Sequence, residues 1–414
     1  MNVTNTLKYP FKIKNRLAKV SKGIVKSLFA LLTLALVALY YQSEIFSFSQ
    51  TPINRPSSFY NPYQNWIKKK TLKANFHAHG QAWGGITNGH NSDDEIIKEY
   101  KKLGFSIAAV SNYHSISKIN DTSLLYIPCY EQGFNVSKTH LLAIDATEAY
   151  NLDFPLGQSL SQKQTRILNL KKTASLVALT HPGLGEGFNT QDLKYLKGYD
   201  LMEVLSPYFE SFDLWDYALN QGHLSWILAN DDTHDLKKQP PGRFFNLIMT
   251  ENKTKFDVVN ALKNGNHVSY SSDKGIVDVS LEKISLKGNT LNYSFSGNIN
   301  RVKLVRNGEV FMVDPHGQVI LQETDKYVRF EVVGEKSVLY TNPIYRLKTS
   351  DVAEFSKIPY KIDILKTFAY RILVLLSGFA FLLILYRRKA ATLSKPFLVK
   401  LLNFKFQQRK LEEI

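Results

Sequence analysis

The chain has 414 residues, of which 44% are hydrophobic and 21% charged, so a mainly disordered protein is excluded. Its single cysteine, Cys129, excludes an internal disulfide framework and a thiolate zinc site, leaving His, Asp and Glu to hold any metal. The formal charge of +16 suggests a nucleic-acid binder, but residues 1–26 carry +7 and residues 387–414 carry +6, leaving +3 between them, so no specific nucleic-acid partner is indicated.

Taken in chain order, a basic tail (1–23) precedes an uncharged run whose core is SLFALLTLALVALYYQS. With Ile24 and Val25 it approaches the roughly 20 residues of a membrane-spanning helix, expected over 24–43. The long basic flank and the absence of a small-x-small site argue against a cleaved leader. A Pro-, Ser- and Asn-rich linker (44–71) follows.

From residue 72, short apolar runs alternate with helical patterns. LKANFHAH reads as a strand. SDDEIIKEYKKLG reads as a helix with Ser92 as cap and Gly104 as stop. FSIAAVSNYH, LLYIPCYEQ and THLLAIDAT read as strands, followed by a helix over about 160–174, the strand SLVALTHPG and a helix near 190–197. DLMEVLS is then a strand, 211–221 a helix and LSWILANDDTH a strand. This alternation predicts parallel strands with crossover helices in a barrel-like α/β domain, 72–275.

Residues 276–350 switch to strands and turns, with the hairpin signal Asn307-Gly308, and predict a small antiparallel β domain. A second apolar run (364–386) contains Arg371 near its start, where the side chain is expected to snorkel outward. The final basic stretch (387–414) is amphipathic. The positive-inside tendency puts both tails in the cytoplasm and the middle of the chain outside the cell membrane, a two-pass topology.

Polar residues able to ligate a metal recur at the predicted strand ends: His77 and His79, His114, Glu131, His181, and Asp232 with His234. A parallel barrel gathers such ends on one face. Residues two apart in an extended chain point the same way, so His-x-His and Asp-x-His each offer two donors suited to zinc, manganese or iron. Their number exceeds one ion's shell and favours two or three divalent ions.

The ordered motifs HAH, GFSIAAVSNYHSIS, YIPCYEQG, THLLAI, LTHPG and ANDDTHD resemble the polymerase and histidinol phosphatase (PHP) superfamily over about residues 72–275. That resemblance implies a distorted (β/α)7-type barrel and phosphoester hydrolysis. It makes His77 and His79 first-metal ligands, Glu131 the bridging carboxylate, His140 a second-metal ligand, His181 the third-site histidine, and Asp232 with His234 the closing pair. The sequence departs from the family at GQAWGG, which lacks the usual Asp and offers His90 nearby, and at SNYH, where Asn112 stands for an Asp and His114 is displaced by one position.

Asp232 is also expected to orient or deprotonate water, and Arg243 is a candidate phosphate clamp. Glu203 is either an orienting partner for a histidine or a cap contact. The expected activity is a membrane-anchored phosphoesterase acting on a phosphorylated small molecule, lipid or glycan. A hydrolase of a non-phosphate bond and a non-catalytic sensory module are the alternatives.

Overall fold

The computed structural model describes residues 9–48, 58–67, 70–348, 352 and 360–387, with side chains from residue 20 onward. It divides into two compact units, one formed by Met1–Ser43 with Ile364–Ile414 and the other by Glu44–Asp363. The first begins with helix α1 (Tyr9–Tyr41), which reaches well into the expected basic tail.

The second unit begins with β1 (Phe46–Ser47), β2 (Thr71–Asn75), α2 (Asp93–Lys102), β3 (Ile107–Ala108), β4 (Cys129–Gln132) and β5 (His140–Ala146). It continues with α3 (Leu160–Thr173), β6 (Ala174–Thr180), α4 (Thr190–Tyr195), β7 (Leu201–Leu205) and α5 (Phe212–Asn220). Then come β8 (Trp226–Ala229), β9 (Phe244–Met249), α6 (Lys255–Lys263) and β10 (His267–Ser272). The helices start where the sequence signals them. Ser92 and Glu95 form a reciprocal capping box at α2, as do Ser159 and Gln162 at α3, each satisfying amides that a bare helix end leaves open.

The fold is mixed α/β, but among the described residues the strands do not close into the expected parallel barrel. One sheet runs β4-β5-β6-β7-β8, while β3-β2-β9-β10 belongs to another. Only β2–β3, β6–β7 and β7–β8 pair in parallel, whereas β4–β5, β5–β6, β2–β9 and β9–β10 are antiparallel. The link between β4 and β5, residues 133–139, is too short for the dozen or so residues that a parallel crossover requires. The two sheets meet through two isolated parallel bridges, Ala78 with Thr233 and Tyr113 with Glu131.

Beyond residue 276 come β11 (Val279–Lys287), β12 (Thr290–Gly297), β13 (Ile299–Arg306), β14 (Glu309–Val313), β15 (His316–Ile320), β16 (Tyr327–Gly334), β17 (Ser337–Thr341) and β18 (Ile344–Tyr345). Asn307 and Gly308, both at positive φ, make the tight turn between β13 and β14. These strands do not form a separate domain sheet as a group: five of them join the sheet of the preceding region, and three form a small sheet packed on it. β17 pairs with β10, giving a nine-stranded sheet in the order β14-β13-β16-β17-β10-β9-β2-β3, with β18 on β16. β11, β12 and β15 make a second layer. Their Leu281, Ile284 and Phe295 share an apolar core with Phe245, Tyr270, Phe330 and Leu339 of the larger sheet. Residues on both sides of 275 therefore share one core. β19 (Lys361–Ile362) pairs with β1.

The chain ends its described part in α7 (Ile364–Tyr386). Both α7 and the Val20–Tyr41 portion of α1 are long and apolar enough to cross a membrane. They lie antiparallel: Lys26 Nζ donates to the Leu385 carbonyl (2.6 Å), and Arg371 Nε to that of Tyr41 (3.0 Å). Arg371 thus turns to the end of α1, with its guanidinium 5.2 Å from the Tyr41 ring centre. Most of the amphipathic tail expected over 387–414 lies outside the described residues.

Candidate metal centre

The bridge between Ala78 and Thr233 builds the centre. His79 N donates to the Thr233 carbonyl (2.8 Å) and Asp232 N to that of His77 (2.9 Å), fixing two short segments side by side. Residues i and i+2 of each then face the same way, so His77 and His79 meet Asp232 and His234. The Tyr113–Glu131 bridge brings in Glu131, and β5 and β6 bring His140 and His181. His181 and Asp232 leave their strands at φ of 30° and 43°, left-handed conformations costing about 1–3 kcal/mol for residues with a Cβ.

Asp232 Oδ1 lies 3.1 Å from His77 Nε2 and 3.2 Å from both His79 Nε2 and His234 Nε2. Glu131 is shared between two sides. Its Oε2 faces His79 Nε2 (3.0 Å) and His77 Nε2 (3.4 Å), and its Oε1 faces His140 Nδ1 (2.7 Å) and His181 Nε2 (3.4 Å). Two overlapping buried groups are compact enough to hold a cation: His77, His79 and Asp232, and His77, Glu131 and His181.

The donor atoms fit such an ion better than they fit each other. Both Glu131 oxygens, Asp232 Oδ1 and His140 Nδ1 are buried and have no hydrogen-bond partner of acceptable geometry, despite their short separations. Unsatisfied buried carboxylate oxygens are costly. Atoms bound at about 2.0–2.2 Å to one ion lie about 3.0–3.5 Å apart, which matches most of these separations.

Glu203 fixes one imidazole. Its Oε1 is 3.0 Å from His77 Nδ1 and accepts from Asn230 Nδ2 (2.8 Å), while Oε2 accepts from His181 N (3.1 Å). A carboxylate facing Nδ1 keeps the proton there and turns the Nε2 lone pair toward Asp232 and Glu131. This is the orienting role for Glu203. Arg166, fully buried on α3, clamps the two strands from behind: Nη2 donates to the Gln132 carbonyl (2.9 Å) and Nη1 to that of Thr139 (2.7 Å), the neighbours of Glu131 and His140. Neither Arg166 nor Asn230 stands in a recognisable spacing, so no local pattern signals them.

Electrostatics follow from the crowding. Burial opposes charge on His77, yet Asp232, Glu203 and Glu131 outweigh it and hold its pKa well above the ordinary imidazole value. His79 and His181 are raised on the same balance, whereas burial prevails at His140 and His234 and lowers them. Burial also resists ionisation of Glu131 and Asp232. The facing His140 and His77 for Glu131, and His77 and His234 for Asp232, bring both well below the usual carboxylate range.

Two expected residues fall outside the cluster. His114, at φ of 52°, stacks 4.9 Å from the Phe134 ring and accepts from Gly133 N through Nε2 (3.1 Å), so that lone pair is already used. Burial pushes its pKa down to about 4. Arg243 is exposed, lies over the Phe244 ring (4.9 Å) and lines a side cleft of about 660 Å³ with Lys238, Lys274 and Lys336, rather than facing the donors. His90 is exposed. Asn112 ties the loop after β2 instead, accepting from Gly80 N (2.9 Å) and donating to Ser117 Oγ (2.8 Å).

No family model and no curated protein matches the chain. Among solved structures it is similar to a two-domain protein containing a predicted PHP-like metal-dependent phosphoesterase from Bacteroides vulgatus ATCC 8482. The TM-score is 0.37 and the identity 15%, over 71% of this chain and 99% of that one. The functional reading therefore rests on the side-chain cluster.

Proposed function

We propose that the chain is a metal-dependent phosphoesterase that hydrolyses a phosphomonoester or phosphodiester and holds two or three divalent ions, zinc, manganese or iron. The observation that carries the reading is the division of Glu131, whose two buried oxygens face different histidine pairs, as a carboxylate shared by adjacent cations would. His77, His79 and Asp232 would hold one ion and His140 with His181 another, and His234 stands beside Asp232. The phosphate itself is read from the order of motifs.

Bound ions would supply an acidified water and neutralise charge on the phosphoryl oxygens. The chain's own residues orient the donors and exclude solvent. Glu203 keeps the proton of His77 on Nδ1, and Arg166 holds the backbone on either side of Glu131 and His140. Asp232 Oδ2, 3.8 Å from His181 Nε2, is the less engaged oxygen and is suited to orient a water molecule. His234 is the most exposed of the cluster and marks the side from which substrate enters. The reading also anchors the chain in the cell membrane by α1 and α7, with both basic tails cytoplasmic and Glu44–Asp363 outside.

The test is hydrolysis of p-nitrophenyl phosphate and bis-p-nitrophenyl phosphate by the metal-supplemented full-length protein. Activity on one of them, lost in the His77→Ala/His79→Ala double variant, is the expected result. Equal rates in wild type and double variant would remove the proposal.

A further inference from the structure

A phosphoryl group carries charge on its oxygens, yet no lysine or arginine supplies a hydrogen bond at the cluster among the described residues. Arg243 lines the side cleft, and Arg166 spends its hydrogens on Gln132, Thr139 and Gln158. A neutral donor stands at the opening instead. Tyr208 lies in the turn 206–209 after β7, closed by the bridge between Leu205 and Glu210. Ser206 N and Oγ both donate to the Phe209 carbonyl (3.3 and 3.2 Å), and the Phe209 ring packs against Gly183 of the loop after β6, so the turn is held from two sides. It carries the Tyr208 ring to 6.3 Å from that of His234, where the charges of Asp232, His77 and Glu131 act on the phenol.

Gln239 decides which way that phenol can act. His234 N donates to Gln239 Oε1 (3.1 Å), and Gln239 N donates to the Asp235 carbonyl (2.7 Å). The first bond fixes the amide, because the reverse orientation would set its NH2 against an N–H. Gln239 Nε2 therefore donates to Tyr208 Oη (2.7 Å), the phenol oxygen accepts, and its own hydrogen has no acceptor among the described residues. A phenol keeps that hydrogen at neutral pH. We infer that Tyr208 donates it to a terminal phosphoryl oxygen of the substrate and that Gln239 is the positioning residue that aims it; the inference rests on the phosphoesterase reading above. A neutral donor suits the place, since bound ions supply positive charge and a hydroxyl held at a fixed angle adds direction. The same amide grips the backbone of His234, so the hydroxyl and the histidine keep one geometry.

The experiment measures binding rather than turnover. Full-length protein in lipid nanodiscs, loaded with zinc and washed, is titrated calorimetrically with methylphosphonate, whose phosphorus–carbon bond resists hydrolysis, subtracting empty discs. Tyr208→Phe removes only the hydroxyl, and affinity is expected to fall about tenfold, the effect of losing one hydrogen bond to a charged oxygen, with the zinc content unchanged. In Gln239→Glu the carboxylate accepts from both His234 N and the Tyr208 hydroxyl, which turns the hydrogen inward, so affinity should fall there too. Because both changes remove one donor, the loss in Tyr208→Phe/Gln239→Glu should be smaller than the product of the single losses. Wild-type affinity in Tyr208→Phe, a fall in its zinc content, a double-variant loss equal to the product, or no binding by the wild type would overturn the inference. Equal affinity in wild type and Tyr208→Phe beside hydrolysis of p-nitrophenyl esters removes this inference alone. The expected losses without hydrolysis of any ester remove the phosphoesterase reading.

Discussion

Replacing Glu203 by Gln probes the centre without touching a donor atom. The carboxylate serves three N–H groups: those of Asn230 and His77 at Oε1 and the backbone amide of His181 at Oε2. A glutamine has one acceptor oxygen, so two outcomes exist. With the oxygen toward Asn230 and His77, its NH2 faces the amide of His181 and leaves a buried donor unsatisfied, costing about 1–3 kcal/mol. With the NH2 toward His77, the imidazole must move its proton to Nε2, and the lone pair aimed at Asp232 and Glu131 is lost. On either route zinc affinity should fall about 10- to 100-fold, the usual effect of removing a partner that orients a ligand. Competition against a chromophoric chelator measures the affinity, and a thermal melt of the metal-free protein separates the two routes. Wild-type affinity with an unchanged melt would refute the reasoning.

Three further outcomes are expected. Gly133→Ala places a Cβ 2.3 Å from His140 Cδ2, so the ring must move; overpacking of this kind costs about 1–3 kcal/mol, and the metal count should drop by one. Metal affinity should rise with pH, because the raised pKa values of His77, His79 and His181 keep protons in the metal-free cluster that an ion must displace; calorimetry in two buffers of different ionisation enthalpy counts the protons released. His267, buried and 2.6 Å from the Ile227 carbonyl through Nε2, is lowered by burial from 6.5 to about 4. The unfolded chain therefore takes up its proton first as pH falls, and stability contributed by neutral His267 is lost between pH 6.5 and 4, by up to about 3 kcal/mol. Denaturant unfolding followed by tryptophan fluorescence at pH 7 and 4.5 reads this, since all four tryptophans lie in Glu44–Asp363; His267→Asn should shrink the difference.

The histidine pair and the Asp-x-His segment were legible because an extended chain repeats every two residues, and one bridge between Ala78 and Thr233 converts that repeat into a convergent cluster. Strand direction was not legible from apolar periodicity, which is the same for parallel and antiparallel neighbours. The seven-residue link 133–139 did carry the information, because a parallel crossover cannot be that short. His114, expected as a ligand from its place at a strand end, stands outside the cluster because its positive φ turns the ring onto Phe134, where Gly133 N occupies its nitrogen. The supports of the cluster are long-range pairs, such as Glu203 with His77 and Arg166 with Gln132, and no local pattern encodes them. The β region reads locally as a separate domain, yet the pairing of β10 with β17 makes it a continuation of the same sheet.

The most direct test of the account is the metal content of the purified full-length protein after metal addition and exhaustive washing, measured by inductively coupled plasma mass spectrometry. At least two divalent ions per wild-type chain are expected, and fewer in Glu131→Gln, which removes the shared carboxylate. Fewer than two ions in the wild type, or an unchanged count in Glu131→Gln, would contradict it.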